Sequence, residues 1–280
     1  MEEDFKLTRN ELLRYTKHIL AKYEVKPKKK LGQSFTIDPS LLLDLVAYAD
    51  IQPTDLVLEV GAGVGCLTRL LAEKARKVIA IEVDSRLVKA LREVFKENSN
   101  VEVVEGDFLK MYGLKADKVV STVPYSIASP FTFKLLKEVD FKQAILTFQK
   151  EFAERLIAKP GSRDYGRLTV TTSYYADVKL LRFVSRRCFY PVPDVDSAIV
   201  EVKRRDKPPF RVNEESFMKL VMILFSQRNR IALSVLKRAF PNLNETDLPI
   251  SLASKRVREL TMDDLYKAYK AVYGAHGHGA

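Results

Sequence analysis

The sequence is poor in cysteine and histidine. Two cysteines, Cys66 and Cys188, cannot build a disulfide framework or a zinc knuckle in a chain of 280 residues. Three histidines, His18, His276 and His278, are too few for a His-based metal centre. Long apolar runs are missing too: no stretch approaches the roughly 18 consecutive apolar residues of a transmembrane helix. Met1-Glu2-Glu3-Asp4 lacks the basic-then-apolar form of a signal peptide. These absences lead us to expect a cytoplasmic protein that needs no metal and no membrane. Glycine and proline number only 11 and 12, against 46% hydrophobic and 30% charged residues. That balance excludes collagen-like, low-complexity and wholly disordered chains, and the length suits two ordinary domains.

Charge is the first positive clue. Lysine and arginine number 47 against 36 acidic residues, a formal net charge of +11. The excess is not spread evenly. Residues 22–30 hold five lysines (Lys22, Lys26, Lys28, Lys29, Lys30) and one acid, Glu24. Residues 203–238 hold ten basic residues against three acids, Asp206, Glu214 and Glu215, which leaves +7. Clustering of this kind points to a partner rich in phosphate rather than to a generic basic surface.

The hydrophobic pattern divides the chain. Residues 8–23 read as an amphipathic helix opened by a capping box of Thr8 and Glu11, with Leu12, Thr16, Ile19, Leu20 and Tyr23 on one face. Asp38-Pro39 opens a second helix. From residue 55 apolar strands at 56–60, 77–83, 101–105, 118–123 and 144–148 alternate with helices, the pattern of a parallel sheet covered on both faces. Leu168–Tyr174 and Ser197–Lys203 read as an antiparallel pair added at the edge. Asp206-Lys-Pro-Pro209 reads as a linker, and only helical periodicity follows it. The expected domains are an N-terminal helix and basic arm (1–30), a sheet domain (31–205) and a helical domain (206–280).

Chemistry concentrates at the strand ends. Glu59-Val-Gly61-Ala-Gly63-Val-Gly65 leaves a strand and enters a helix, so its backbone can approach a ligand closely. The spacing is compatible with a dinucleotide. Lacking the third glycine of G-x-G-x-x-G, it shifts weight toward S-adenosylmethionine, while a structural tight turn remains open. Glu82 ends the next strand, 19 residues after Gly63, where a carboxylate can take both ribose hydroxyls. Asp107 follows the third strand, where a carboxylate can accept from an adenine amine. Either acid alone reads as a solvated loop residue; both on the ligand-binding edge of such a sheet is harder to reach by chance. The fourth strand ends in Ser121-Thr122-Val123-Pro124-Tyr125, a stiff turn presenting an aromatic ring. With Phe189-Tyr190 from another loop, it can hold a flipped base, although Tyr125 alone also reads as a core residue of a plain turn and Phe189-Tyr190 alone is more often packing.

Taken together, and in this order, Lys30-Leu-Gly32-Gln33-Ser34-Phe35, the glycine loop, Gly106-Asp107, Val123-Pro124-Tyr125, Pro160-Gly-Ser-Arg-Asp-Tyr165-Gly166-Arg-Leu168, Phe189-Tyr-Pro191-Val-Pro193-Asp-Val-Asp-Ser197-Ala and Phe225-Ser-Gln227-Arg228-Asn-Arg230 make a specific set. Over about residues 27–238 the chain resembles the small-subunit ribosomal RNA adenine N6,N6-dimethyltransferases (KsgA type). The related 23S rRNA resistance methylases are a weaker match to the Pro160–Leu168 and Phe189–Ser197 segments.

The resemblance implies a class I methyltransferase: a Rossmann-like, mostly parallel sheet followed by a small helical domain. It implies S-adenosyl-L-methionine as cofactor. Gln33, Ser34 and Thr36 would lie near its methionine end, Gly61 and Gly63 would contact it by backbone, Glu82 would meet the ribose and Asp107 the adenine. Thr122, Val123 and Pro124 would position the target amine, with Thr122 also touching the cofactor, and Tyr125 and Phe189 would sandwich the target adenine. Lys28, Lys29, Lys30, Gln227, Arg228 and Arg230 would face RNA. The implied partners are small-subunit rRNA and its ribosomal precursor, met by a monomer. One departure matters. The family usually has Asn where this chain has Thr122, and a common Asn is replaced by Ser34. A slow enzyme is therefore expected, with an RNA-binding assembly factor of feeble or no methyl transfer as the alternative.

Overall fold

A computed structural model describes residues 8–27, 32–243 and 248–274. The chain gathers into two compact units. One comprises the residues up to Ala153 with Asp177–Arg204, the other Glu154–Ala176 with the residues from Arg205 onward.

In the first unit, helix α1 (Arg9–Lys22) starts where Thr8 accepts from the Glu11 N–H at 3.3 Å and donates its hydroxyl to the Glu11 carboxylate at 2.7 Å. Leu12, Thr16, Ile19 and Leu20 form its buried face, as the periodicity predicts. The short strand β1 (Phe35–Thr36) precedes α2 (Pro39–Ala49), which Asp38 caps by accepting from the Leu41 N–H at 3.0 Å. Then β2 (Leu56–Val60), α3 (Cys66–Ala72), β3 (Lys77–Glu82), α4 (Ser85–Val94), β4 (Val101–Glu105), β5 (Lys118–Thr122), α5 (Ala128–Glu138) and β6 (Gln143–Gln149) alternate. Consecutive residues of β2 and β6 are buried, so helices cover both sheet faces and the strands read as continuous apolar runs.

Helix α6 (Lys150–Leu156) carries the chain into the second unit, which contains α7 (Arg167–Tyr175). The chain then returns as β7 (Ala176–Val184), β8 (Phe189–Tyr190) and β9 (Ser197–Arg204). The seven-stranded sheet has the order β4-β3-β2-β5-β6-β9-β7. Its pairs from β4 to β6 are parallel, and β9 runs antiparallel to β6. Strands β1 and β8 form a separate antiparallel ribbon, pairing Phe35 with Tyr190 and Thr36 with Phe189. Strand order reverses between β2 and β5. The loops leaving those two strands therefore diverge and open the crevice where such sheets take ligands.

Two expectations need correction. Leu168–Tyr174 lies in helix α7, not in a strand, and β7 supplies the edge partner of β9. The β-branched residues of α7 suggest a strand, but the helix is buried nearly all round and the Thr172 hydroxyl donates to the Leu168 carbonyl at 2.8 Å. Residues 154–176, read above as part of the sheet domain, pack with the C-terminal helices instead. Tyr174 of α7 lies 5.1 Å from Phe217 in a ring cluster, and the Tyr165 hydroxyl donates to the Leu260 carbonyl at 2.8 Å.

The rest of the second unit is α8 (Glu214–Phe225), α9 (Ala232–Ala239), α10 (Ile250–Ser254) and α11 (Met262–Tyr273). Asn213 caps α8, whose buried face is Phe217, Leu220, Val221, Leu224 and Phe225. Among the described residues, no helix is long and apolar enough to cross a membrane.

Candidate active site

The crevice is built by five loops of the first unit. The glycine loop leaves β2 by hydrogen bonds from the Gly61 and Ala62 N–H groups to the Ile81 carbonyl, at 2.8 and 3.2 Å. Gly63 has φ +60°, and a Cβ there would sit 3.0 Å from the Phe35 ring. Only glycine lets the loop turn under β1 at that distance.

Glu82, at the end of β3, clamps this loop. Its Oε2 accepts from the Gly63 N–H at 2.9 Å, and its Oε1 accepts from the Val83 and Asp84 N–H groups at 2.9 and 3.0 Å. The residue is 5% exposed. Burial raises its pKa, and the three N–H donors oppose that rise. Three of about four acceptor sites on the carboxylate are thus taken, so room remains for one ribose hydroxyl on Oε2 rather than two.

Glu59, the first residue of the glycine motif, received no role from sequence reasoning. It is 2% exposed and accepts from the Thr68 hydroxyl at 2.6 Å. Burial pushes its carboxyl up to about 8, against the Thr68 hydrogen bond and with help from neighbouring Glu82. Its position within the motif was the only available signal.

Asp107 caps the turn after β4, accepting from the Leu109 N–H at 3.0 Å. The next residue, Phe108, is buried 5.0 Å from the Phe131 ring, which pins the turn to α5. The turn after β5 is held from β6: the Val123 N–H donates to the Thr147 carbonyl at 3.1 Å. The Tyr125 hydroxyl shares a 2.5 Å hydrogen bond with the Ser197 hydroxyl, and burial raises the Tyr125 pKa. Gly32, at φ +62°, lies directly against this turn; a Cβ on it would be 2.9 Å from the Tyr125 backbone nitrogen. Next to it, the Ser34 hydroxyl donates to the Pro191 carbonyl at 2.6 Å.

These loops enclose a cavity of about 240 Å³. Gln33, Ser34, Thr36, Gly61, Gly63, Glu82, Asp107, Thr122, Val123, Pro124, Tyr125 and Phe189 all line it. The twelve residues singled out in the sheet domain therefore meet in one place. Thr36 and Thr147 contribute buried hydroxyls without a hydrogen-bond partner, and both line the cavity.

The RNA candidates are not among the cavity residues. Lys28, Lys29 and Lys30 lie outside the described residues. Gln227, Arg228 and Arg230 follow α8 in the second unit. The Arg228 guanidinium donates to the Arg163 carbonyl, and the Arg228 and Arg230 carbonyls accept from Arg258 and Val257 N–H groups at 2.9 Å. Arg230 is exposed, whereas Arg228 is half-buried.

Known proteins resemble the chain in sequence and in fold. The sequence profile described as ribosomal RNA adenine dimethylase matches residues 24–272. A probable ribosomal RNA small subunit methyltransferase A from Methanosarcina barkeri is 43% identical over 255 residues, covering 88% of this chain and 88% of that protein. The protein of the same description from Pyrococcus furiosus is 39% identical, over 89% and 93% of the two chains. The crystal structure of a dimethyladenosine transferase from Plasmodium falciparum superposes with a TM-score of 0.75 at 32% identity, covering 84% of this chain and 95% of that one. The 23S rRNA methyltransferase ErmE superposes with a TM-score of 0.68 at 30% identity, over 85% and 99%. With the profile spanning nearly the whole described chain and relatives of about 40% identity matching over most of their length, the chain belongs to the ribosomal RNA adenine dimethylase family.

Proposed function

We propose that this protein methylates the N6 amine of adenines in small-subunit ribosomal RNA, using S-adenosyl-L-methionine. The observation that carries the reading is the convergence of the glycine loop after β2 and the Thr122-Val123-Pro124-Tyr125 turn after β5 on one cavity, at the point where strand order reverses.

The residues present fit the cofactor. The Thr36 hydroxyl is buried in the cavity wall without a partner, as a wall awaiting a polar ligand would have it. Gly61 and Gly63 keep the backbone bare of Cβ atoms, and Glu82 retains a free acceptor position. In this reading Gln33, Ser34 and Thr36 hold the methionine end, Gly61 and Gly63 the middle, Glu82 the ribose and Asp107 the adenine. When bound, the cofactor supplies an electrophilic methyl group.

The chain's own residues place the nucleophile. Tyr125 and Phe189 hold the target adenine, and acceptors of the Thr122–Pro124 turn draw the N6 hydrogens and favour a pyramidal nitrogen. The amine lone pair is otherwise delocalised into the ring, so rate comes mainly from positioning, with effective molarities that can reach ~10⁵ M or more. The basic residues after α8, with Lys28–Lys30, grip rRNA phosphates in a ribosomal precursor. The protein acts as a cytoplasmic monomer. Tritiated cofactor incubated with small subunits, and separately with large subunits, tests the reading: label should enter small-subunit RNA and not large-subunit RNA. Tight subunit binding without label would favour the assembly-factor role.

A further inference from the structure

Thr147 is 1% exposed, and its hydroxyl has no hydrogen-bond partner. A buried hydroxyl left unpaired costs stability, so its presence calls for a reason. Three observations supply one. Thr147 lines the cavity, as does Thr122. The two residues are register partners on the parallel strands β6 and β5, so their side chains leave the sheet on the same face. Thr122 is half-buried, and its hydroxyl makes no hydrogen bond among the described residues. The Thr147 carbonyl is already committed to the Val123 N–H at 3.1 Å, which leaves the hydroxyl as its free polar group.

The spacing suits a particular ligand group. Neighbouring strands lie about 4.8 Å apart. A trigonal amine with two N–H bonds at 120° and hydrogen bonds of ordinary length wants its acceptors about 5 Å apart. We propose that Thr147 is a further catalytic residue: the Thr122 and Thr147 hydroxyls accept the two N–H groups of the target adenine amine, one each. This rests on the methyltransferase reading above. Each hydroxyl oxygen has lone pairs to accept with, and neither is spent elsewhere. With both hydrogens drawn toward the sheet, the nitrogen lone pair is turned out of conjugation. That lone pair forms the new N–C bond, the electron pair of the broken C–S bond stays on sulfur, and the displaced N–H proton leaves to water. The pair also supplies what Thr122 lacks as a replacement for the usual Asn: a second side-chain acceptor, contributed by the neighbouring strand.

The two methylations then depend on Thr147 unequally. The first substrate has two N–H groups to hold, the monomethylated amine only one, which Thr122 can hold alone. Thr147→Val keeps the shape and removes the hydroxyl. In single-turnover transfer to small subunits, it should slow the first methylation about 2- to 13-fold, the loss of one hydrogen bond, and the second less than twofold. Cofactor affinity and the KM for subunits should not change, and Thr147→Ser should restore the first step. Resistance to denaturant should stay level or rise, because a methyl replaces an unpaired hydroxyl. A first methylation at the wild-type rate in Thr147→Val overturns the inference. So does an equal loss of both steps accompanied by lower stability, which marks a packing residue. A wild type that transfers no methyl at all overturns the functional reading, and this inference with it.

Discussion

Glu82→Ala separates two jobs that the structure gives to one carboxylate. Glu82 accepts three backbone N–H groups at 2.9–3.0 Å, and the same carboxylate is assigned the cofactor ribose. Of the three donors left behind, those of Val83 and Asp84 sit beside an exposed Val83 side chain and can be rehydrated. The Gly63 N–H is buried under Phe35 and cannot easily be rehydrated. One orphaned buried donor costs about 1–3 kcal/mol. In a protein of this size that lowers Tm by about 2–12 °C. Loss of a ribose hydrogen bond to a charged acceptor removes about 1.5–3 kcal/mol of binding, or about 10- to 150-fold in Kd. Glu82→Gln is not a neutral control. If its oxygen serves Val83 and Asp84, its NH₂ faces the Gly63 N–H, donor against donor. Its stability should fall between wild type and Glu82→Ala. Scanning calorimetry of the free protein reads the first effect, and titration calorimetry with S-adenosylmethionine the second. A lower Tm with unchanged Kd would make Glu82 a loop clamp only. Unchanged values of both would refute the hydrogen-bond reasoning itself.

Other outcomes follow from the same geometry. Glu59 binds a proton in the folded state up to a pKa of about 8, whereas its unfolded value is the ordinary 4.5. The folded state therefore holds the extra proton between those values, and Glu59 makes stability fall as pH rises across that window. In denaturation of the free protein from pH 5 to 8, Glu59→Gln should flatten the fall, and an unchanged slope would contradict the assignment. Arg230→Glu should weaken rRNA binding and lower the slope of log affinity against log salt by about 1 or more, leaving cofactor affinity intact. Arg228 is a poorer probe, because its guanidinium also holds the Arg163 carbonyl. Thr122→Asn should speed transfer about 2- to 13-fold and shift product toward dimethyladenine, as nucleoside analysis of a time course will show.

Much of the site was legible because its residues sit at strand ends, and the strands announce themselves as apolar runs. Gly61, Gly63, Glu82, Asp107 and the Thr122–Tyr125 segment stand at or just beyond the ends of β2, β3, β4 and β5, so placing the strands placed them. What escaped depends on contacts between distant segments. The pairing of Thr36 with Phe189 joins positions far apart in the chain, and neither two-residue strand carries enough periodicity to announce itself. Thr147 meets Thr122 only through the β5–β6 register, which side-chain pattern does not fix when both faces of the strands are buried. Helix α7 escaped for a different reason. Leu168-Thr-Val-Thr-Thr-Ser-Tyr174 has the composition of a strand, and its burial among the C-terminal helices overrides that preference. The same packing moved residues 154–176 out of the sheet unit.

Methyl transfer at this cavity to adenine N6 in small-subunit rRNA can be read from the nucleosides themselves. The most direct measurement is mass spectrometry of nucleosides released from small subunits lacking the modification, sampled over time after incubation with wild-type protein and S-adenosylmethionine. N6-methyladenosine should appear first, with N6,N6-dimethyladenosine accumulating after it. Methylated cytidine or guanosine in place of adenosine, or no new methylated nucleoside from protein that binds the cofactor, would contradict it.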